Sequence, residues 1–541
     1  MNDRLFPDDP PRRRFLRGAA LSGLAVAVAP WPASAATATK PGASEAPVAH
    51  VRGGQLRGYR DNGVAVFKGI AYGADTGDQR FQPPRIEAPW SGVREALAYG
   101  AASPQPKADE TTSEDCLRLN VWTPGLRDGR RRPILFYIHG GAYNNGSGSS
   151  PLYDGGNLCR RGDVVVITVN HRLNAFGYLY LAPFGGADLA DSGNVGQLDL
   201  IQALQWVQQH AAEFGGDAGN VTVFGQSGGG AKIATLMAMP AARGLFHRAW
   251  TMSGQQVTAC GPRAAAQRAA MVLEALKLSP TQVDRLRTLP AAELIAAAQI
   301  RDPSRAEDTS LYLGPVLDSR SLPVHPFWPE APRQSAAIPM VIGNTHDETR
   351  AFLGHDPKNF ALTWDELPAR LEKQQFVDLS PSVVITEYRR LYPQYSPSDV
   401  FFAATTAGRS WRGAVEELEA RARQGAPTWA YQLDWASPLQ PQLGAYHTLD
   451  IPLVFDNVAR PEARTGNGED ARHMAALMSE SLLAFSRHGD PQHRDLPQWQ
   501  RYALDRRQTL VFDTTPRSVD DPRGGERQLY GRVPFIQRGT F

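Results

Sequence analysis

The sequence predicts an α/β protein with a large, mostly parallel central sheet and helices on both faces. Three observations predict it. Strand-like and helix-like segments alternate through the middle of the chain, as a parallel sheet requires when each return crossing is a covering helix. One apolar β-branched run, Val221-Thr222-Val223-Phe224, passes through a glycine-rich turn straight into the helix-like segment Ala231–Met237. Titratable residues also stand just beyond the ends of strand-like runs, where open α/β sheets build their sites. A length of 541 residues would by itself suggest several domains, but motifs spread along the whole chain argue for one large domain.

The N-terminus comes first in the chain. Arg12-Arg13-Arg14-Phe15-Leu16-Arg17 precedes an apolar run from Ala19 to Ala29, and Ala33-Ser34-Ala35 offers an A-x-A cleavage site. The apolar run is too short to cross a bilayer, so residues 1–35 read as a twin-arginine signal peptide. Residues 36–47 form a small-residue linker, and residues 48–541 form the single domain. The expected location is periplasmic or secreted. Pro133–Ile138 reads as a buried strand running into His139-Gly140-Gly141-Ala142. Ile338–Gly343 and Pro427–Leu433 read as two more strands. The loop after the first carries Asn344-Thr345-His346-Asp347-Glu348, and the loop after the second reaches Tyr446-His447-Thr448. Cys260–Arg320 and Asn359–Trp411 read as long loops.

Ser227 lies in Phe224-Gly225-Gln226-Ser227-Gly228-Gly229-Gly230, a G-x-S-x-G pattern. Between a strand and a helix this pattern makes a nucleophile elbow. Gly225 and Gly229 flank the serine where a Cβ would collide with the opposite limb. The expected backbone is strained, with Oγ pushed outward and the helix N-terminus aimed at any oxyanion beside it. A Walker phosphate loop is excluded, since no Gly-Lys-Ser/Thr follows. Serine needs a base and an oxyanion pocket. The His139-Gly140-Gly141 loop matches the type that supplies oxyanion donors in the α/β-hydrolase fold, with N–H groups of Gly141, Ala142 and Gly228 as candidates. The acid and base should follow the serine in the order Ser, acid, His. Of the 12 histidines, His346 and His447 stand beyond strand ends, and spacing leaves Asp347 and Glu348 both open as the acid.

From about His50 onward the chain resembles the type B carboxylesterases, the α/β-hydrolase family that includes cholinesterases and bacterial p-nitrobenzyl esterases. The resemblance is carried by Val66–Gly73 with Arg80-Phe81, by Ser113–Pro124, by Asn170-His171-Arg172, by Gly193–Asp199 and by Phe214–Asp217, in the family's order. It implies a triad of Ser227, Glu348 and His447. It implies that Ser253 hydrogen-bonds the acid, and that Arg80–Glu114 and Arg172–Asp199 are bracing ion pairs. Three positions depart from the pattern. Gln226 stands where the family has Glu, Gly228 where it has Ala, and Ser103 where it often has the disulfide partner of Cys116. Gln226 thereby removes a buried negative charge beside the site.

The resemblance implies hydrolysis of neutral esters through an acyl-enzyme, with no metal or organic cofactor. The rival readings are another acyl-transfer enzyme (lipase, thioesterase or amidase), a catalytically dead binding module, and, weakest, a two-metal hydrolase. The whole chain carries 57 basic and 55 acidic residues. Removing residues 1–35, with five Arg and three Asp, leaves 52 of each. That balance points to no nucleic-acid groove and no anionic membrane surface. The expected partner is a small-molecule ester, without a stable membrane anchor, and the chain is expected as a monomer or weak homo-oligomer. Cys116, Cys159 and Cys260 are odd in number and read as buried thiols. The loop Pro104–Thr112 has no aromatic residue to stack a quaternary ammonium, so choline esters should gain no preference.

Overall fold

The computed structural model describes residues 46–537, except 107, 109 and 304–308. The expected signal peptide, and the linker before Ala46, lie outside the described residues. Ala46–Phe541 form one compact unit.

Among the described residues there are fourteen strands: β1 (Val48–Val51), β2 (Gly54–Arg57), β3 (Tyr59–Asp61), β4 (Val64–Ala71), β5 (Val93–Glu95), β6 (Arg118–Thr123), β7 (Arg132–Ile138), β8 (Val165–Val169), β9 (Gly216–Gln226), β10 (Arg248–Met252), β11 (Met340–Thr345), β12 (Thr428–Leu433), β13 (Gln508–Phe512) and β14 (Arg517–Asp520). Eleven form one sheet in the order β14-β13-β12-β11-β10-β9-β7-β8-β6-β4-β3, and β1, β2 and β5 form a small second sheet. Neighbours from β8 through β7 to β13 run parallel. The flanks, β3-β4-β6-β8 and β13-β14, pair antiparallel.

The central strands show why the sheet is covered on both faces. In β7, Ile134, Phe136 and Ile138 join one buried cluster, while Leu135 and Tyr137 join another. That is the two-residue alternation of a strand with apolar layers above and below. The first cluster takes in the helix Val195–His210 and the helix Gly228–Leu236. The second takes in Glu469–His488, whose Phe485 packs against Trp250 of β10. Each such fully buried large side chain contributes about 1.5–3 kcal/mol.

Register sets the site. Ile138 of β7 sits opposite Gly225 of β9, Gln226 opposite Met252 of β10, and Met252 opposite Gly343 of β11. The C-terminal ends of these strands therefore open on one edge.

The segments expected as long loops carry several helices. Cys260–Arg320 contains the helices Pro262–Ala275 and Ala291–Ala298. Asn359–Trp411 contains Leu367–Gln374, Pro381–Leu391 and Pro397–Thr406, followed by a π-helical turn at Ala407–Trp411. Proline at the first position of several of these helices is a start signal, since its missing N–H would have had no partner there.

Candidate active site

Ser227 links β9 to the helix Gly228–Leu236 at φ +56° and ψ −126°. For a residue with a Cβ this is sparsely populated backbone, held at a cost of about 1–3 kcal/mol. The surroundings enforce it. Ser227 N–H donates to Met252 O at 2.7 Å, and its own carbonyl accepts from Ala231 N at 3.1 Å. A Cβ on Gly229 would lie 1.9 Å from Ile138 O, and one on Gly225 would lie 2.8 Å from Gly229 C. The two glycines let β7 and the two limbs of the turn close on one another.

The loop His139–Ala142 leaves the end of β7 and folds onto this turn. Gly141 has φ +86° and Ala142 φ +51°, and Gly141 O accepts from Asn144 N and Asn145 N, each at 3.1 Å. A Cβ on Gly228 would stand 2.1 Å from Ala142 O. The loop therefore sits closer to the helix start than an alanine at 228 would permit. Within the described residues, the N–H groups of Gly141, Ala142 and Gly228 donate to no protein acceptor. Ala142, Gly228 and Ser227 line one cleft of about 230 Å³ with His447 and Glu348.

Glu348 stands three residues beyond β11, and His447 in the loop after β12. His447 Nδ1 is hydrogen-bonded to Glu348 Oε2. The other carboxylate oxygen accepts from Asn344 Nδ2 at 3.1 Å and Thr345 N at 3.0 Å. Both side chains are buried, and Phe352 packs on the imidazole with ring centroids 4.7 Å apart. Asp347, left open beside Glu348 by spacing, turns aside: Oδ2 accepts from Ala445 N at 3.0 Å, and Oδ1 faces Arg350 Nε at 3.3 Å.

Two contacts differ from expectation. Ser253 does not bond Glu348. Its φ of +50° holds the hydroxyl to accept from Thr345 N at 3.3 Å, and Asn344 takes the place beside the carboxylate. The second concerns His447 Nε2, which lies 3.0 Å from Gln226 Nε2, while the Ser227 hydroxyl makes no hydrogen bond among the described residues. With the Nδ1 proton given to Glu348, Nε2 is an acceptor and the Gln226 amide donates to it. Gln226 thus occupies the lone pair that a serine proton would use.

Other buried groups back the site. Asp450 accepts from Tyr431 Oη at 2.9 Å, and burial, followed by the Glu348 charge, pushes its carboxyl up to about 7. The Lys232 amine donates to His139 O at 3.2 Å, and burial pushes it down to about 7. His139 and His171 stack with centroids 4.9 Å apart. Burial, then the neighbouring Lys232, holds His139 down to about 3 and lowers His171. Reading the sequence singled out neither Lys232 nor Asp450. Lys232 had a signal, a cation on a helix that must bury its face; Asp450 had none apart from its place in the histidine segment.

Both expected ion pairs form. Arg172 binds Asp199 through Nε–Oδ2 at 2.9 Å and Nη2–Oδ1 at 2.7 Å, and Arg80 Nε meets Glu114 Oε2 at 2.7 Å. Cys116, Cys159 and Cys260 are free and buried. Burial pushes the Cys116 thiol up to about 12. No helix among the described residues is long and apolar enough to cross a membrane.

The model of the carboxylesterase family matches residues 45–528. The para-nitrobenzyl esterase of Bacillus subtilis (strain 168) is 36% identical over 488 residues, covering 88% of this chain and 96% of that protein. The phenmedipham hydrolase of Pseudarthrobacter oxydans is 33% identical over 487 residues, covering 86% and 94%. The crystal structure of a Geobacillus stearothermophilus carboxylesterase at pH 6.2 superposes with a TM-score of 0.80 at 37% identity, covering 89% of this chain and 99% of that one.

Proposed function

The chain belongs to the carboxylesterase family, and from that premise we propose that it hydrolyses neutral carboxylic esters through an acyl-enzyme on Ser227. The observation that carries the reading is the buried His447–Glu348 pair, set in the same cleft as the half-buried Ser227. Gln226 yields Nε2 as substrate enters, and Ser227 Oγ attacks the carbonyl carbon while His447 takes its proton. Glu348 fixes the imidazole tautomer and stabilises the imidazolium. The N–H groups of Gly141, Ala142 and Gly228 receive the oxyanion. His447 then protonates the leaving alcohol and later draws a proton from the water that frees the acid.

The test is direct. A fluorophosphonate probe should label wild type at Ser227. Ser227→Ala should lose labelling and about a million-fold in kcat while keeping its melting temperature. Near-normal turnover in that variant would overturn the mechanism. Choline esters should show no advantage over neutral esters of equal size, because Gln226 is uncharged and the Pro104–Thr112 loop offers no aromatic ring.

The same reading covers location. We propose export of the folded chain through the twin-arginine route, with residues 1–35 removed and residues 48–541 acting as one domain, as a monomer or weak homo-oligomer. The argument is the Arg12–Arg17 cluster, the Ala33-Ser34-Ala35 site and a domain that needs no disulfide. N-terminal sequencing of exported protein should begin at Ala36. Retention in the cytoplasm of an uncut chain would overturn it.

A further inference from the structure

Lys232 is an expensive residue in an unexpected place. It is the fifth residue after Ser227, its side chain is fully buried, and that side chain's only hydrogen bond among the described residues is the one from Nζ to His139 O at 3.2 Å. The Tyr143 ring centroid lies 5.6 Å from Nζ. The two nearby imidazoles, held toward neutrality, bring no charge to the amine, and burial alone accounts for its lowered pKa. A buried amine without a counter-ion destabilises a fold, and a methionine of similar length would fill the same space without that cost.

The location suggests what the amine does. His139 opens the loop that carries the Gly141 and Ala142 N–H groups. Lys232 belongs to the helix that carries Gly228 N–H at its first position. The His139 carbonyl is wedged between them: besides Lys232, it lies 3.0 Å from where a Cβ on Gly229 would sit. The helix is itself anchored, since Lys232 O accepts from Gln197 Nε2 at 3.2 Å. One amine thus joins the two pieces of backbone whose separation sets the width of the oxyanion pocket.

We infer that Lys232 is a positioning residue of the oxyanion pocket, pinning the His139–Ala142 loop to the nucleophile helix through the His139 carbonyl. This rests on the acyl-enzyme reading above. The loop's glycines give it freedom to drift, and donors 1 Å out of place lose most of their effect on a transition state. The amine acts by restricting that drift, and it touches neither substrate nor reacting atoms.

The test compares wild type with Lys232→Met on the full chain, using a p-nitrophenyl ester and an alkyl trifluoromethyl ketone. Ser227 adds to the ketone carbonyl: the Oγ–C bond forms, the serine proton passes to His447, and the former carbonyl oxygen becomes an oxyanion in the pocket. Lys232→Met should lower kcat by about 10- to 100-fold with KM within about twofold, and weaken the ketone by the same factor as kcat. Its melting temperature should equal or exceed that of wild type. A folded variant whose kcat and ketone affinity both stay within about twofold of wild type would show Lys232 to be only structural, and would overturn the inference. If Lys232→Met does not fold, Lys232→Leu decides by the same readouts. Failure of the underlying mechanism looks different: Ser227→Ala would keep activity, or wild type would form no ketone adduct.

Discussion

Gln226 and Lys232 carry the clearest single-residue consequences. Gln226 donates to the nitrogen that would accept the serine proton in the proposed mechanism. Gln226→Glu would set a carboxylate at that spot, and a negative charge at hydrogen-bond distance favours the imidazolium. The base would then stay protonated to higher pH, so the acid limb of kcat/KM should move upward by about one pH unit. A limb that does not move would show that the two side chains are apart in solution. For Lys232 the sign is opposite to that of a paired lysine. Its folded value of about 7 lies below its ordinary 10.5, so the penalty of a buried charge is full below about 7 and fades between the two values as pH rises. Lys232→Met should therefore be more stable than wild type by about 1–4 kcal/mol at pH 6, with the gap closing as pH rises toward 10. Urea titrations at several pH values measure it, and a gap independent of pH would count against a buried charged amine.

Among the elements, the join of β9, Ser227 and its helix was legible before any coordinates. A β-branched run, glycines at fixed offsets and an apolar helix state the turn locally. The contact between Gly228 and Ala142 was not legible, because it depends on how closely a loop 86 residues upstream comes to rest. It yields a sharp test. Gly228→Ala puts a methyl 2.1 Å from the Ala142 carbonyl and must push the donor loop outward. Turnover should fall about tenfold or more, with KM changed far less. Unchanged turnover would mean that the loop stands further off than described. The helices between Cys260 and Arg320, and between Asn359 and Trp411, were misjudged as loops although their signals were present. Gly261-Pro262, Ser380-Pro381 and Ser396-Pro397 are helix starts, and Ser396 with Asp399 closes a reciprocal cap. The π-helical turn at Ala407–Trp411 had no such signal. It places Arg409 and Ser410 on the wall of the cleft, with Ser410 Oγ accepting from Asn344 Nδ2 at 3.0 Å.

For the whole molecule, alternation of strands and helices foretold the parallel centre, and the motifs after strand ends lie on the one edge where Ser227, Glu348 and His447 share a cleft. The antiparallel flanks were not visible in that pattern, since β3 and β4 are joined by a turn, and β4 and β6 by irregular chain that holds β5 and one short 3-10 turn, Gly77–Gln79, and no α-helix. Long-range braces such as Arg172–Asp199 came through resemblance alone. With side chains only 2% and 0% exposed, this pair is worth more as a constraint than as a source of attraction. Asp199→Asn strands the buried guanidinium, and should lower unfolding stability by about 3–5 kcal/mol in denaturant titrations. A loss below about 1 kcal/mol would imply that solvent reaches the pair. The order in which the chain delivers its parts has one more consequence. In the mechanism proposed above the imidazole comes from residue 447 of 541, so a ribosome must finish more than four-fifths of the polypeptide before the hydroxyl at 227 can acquire that proton acceptor. On that mechanism every nascent copy shorter than that would be chemically silent, and synthesis itself would time the onset of hydrolysis.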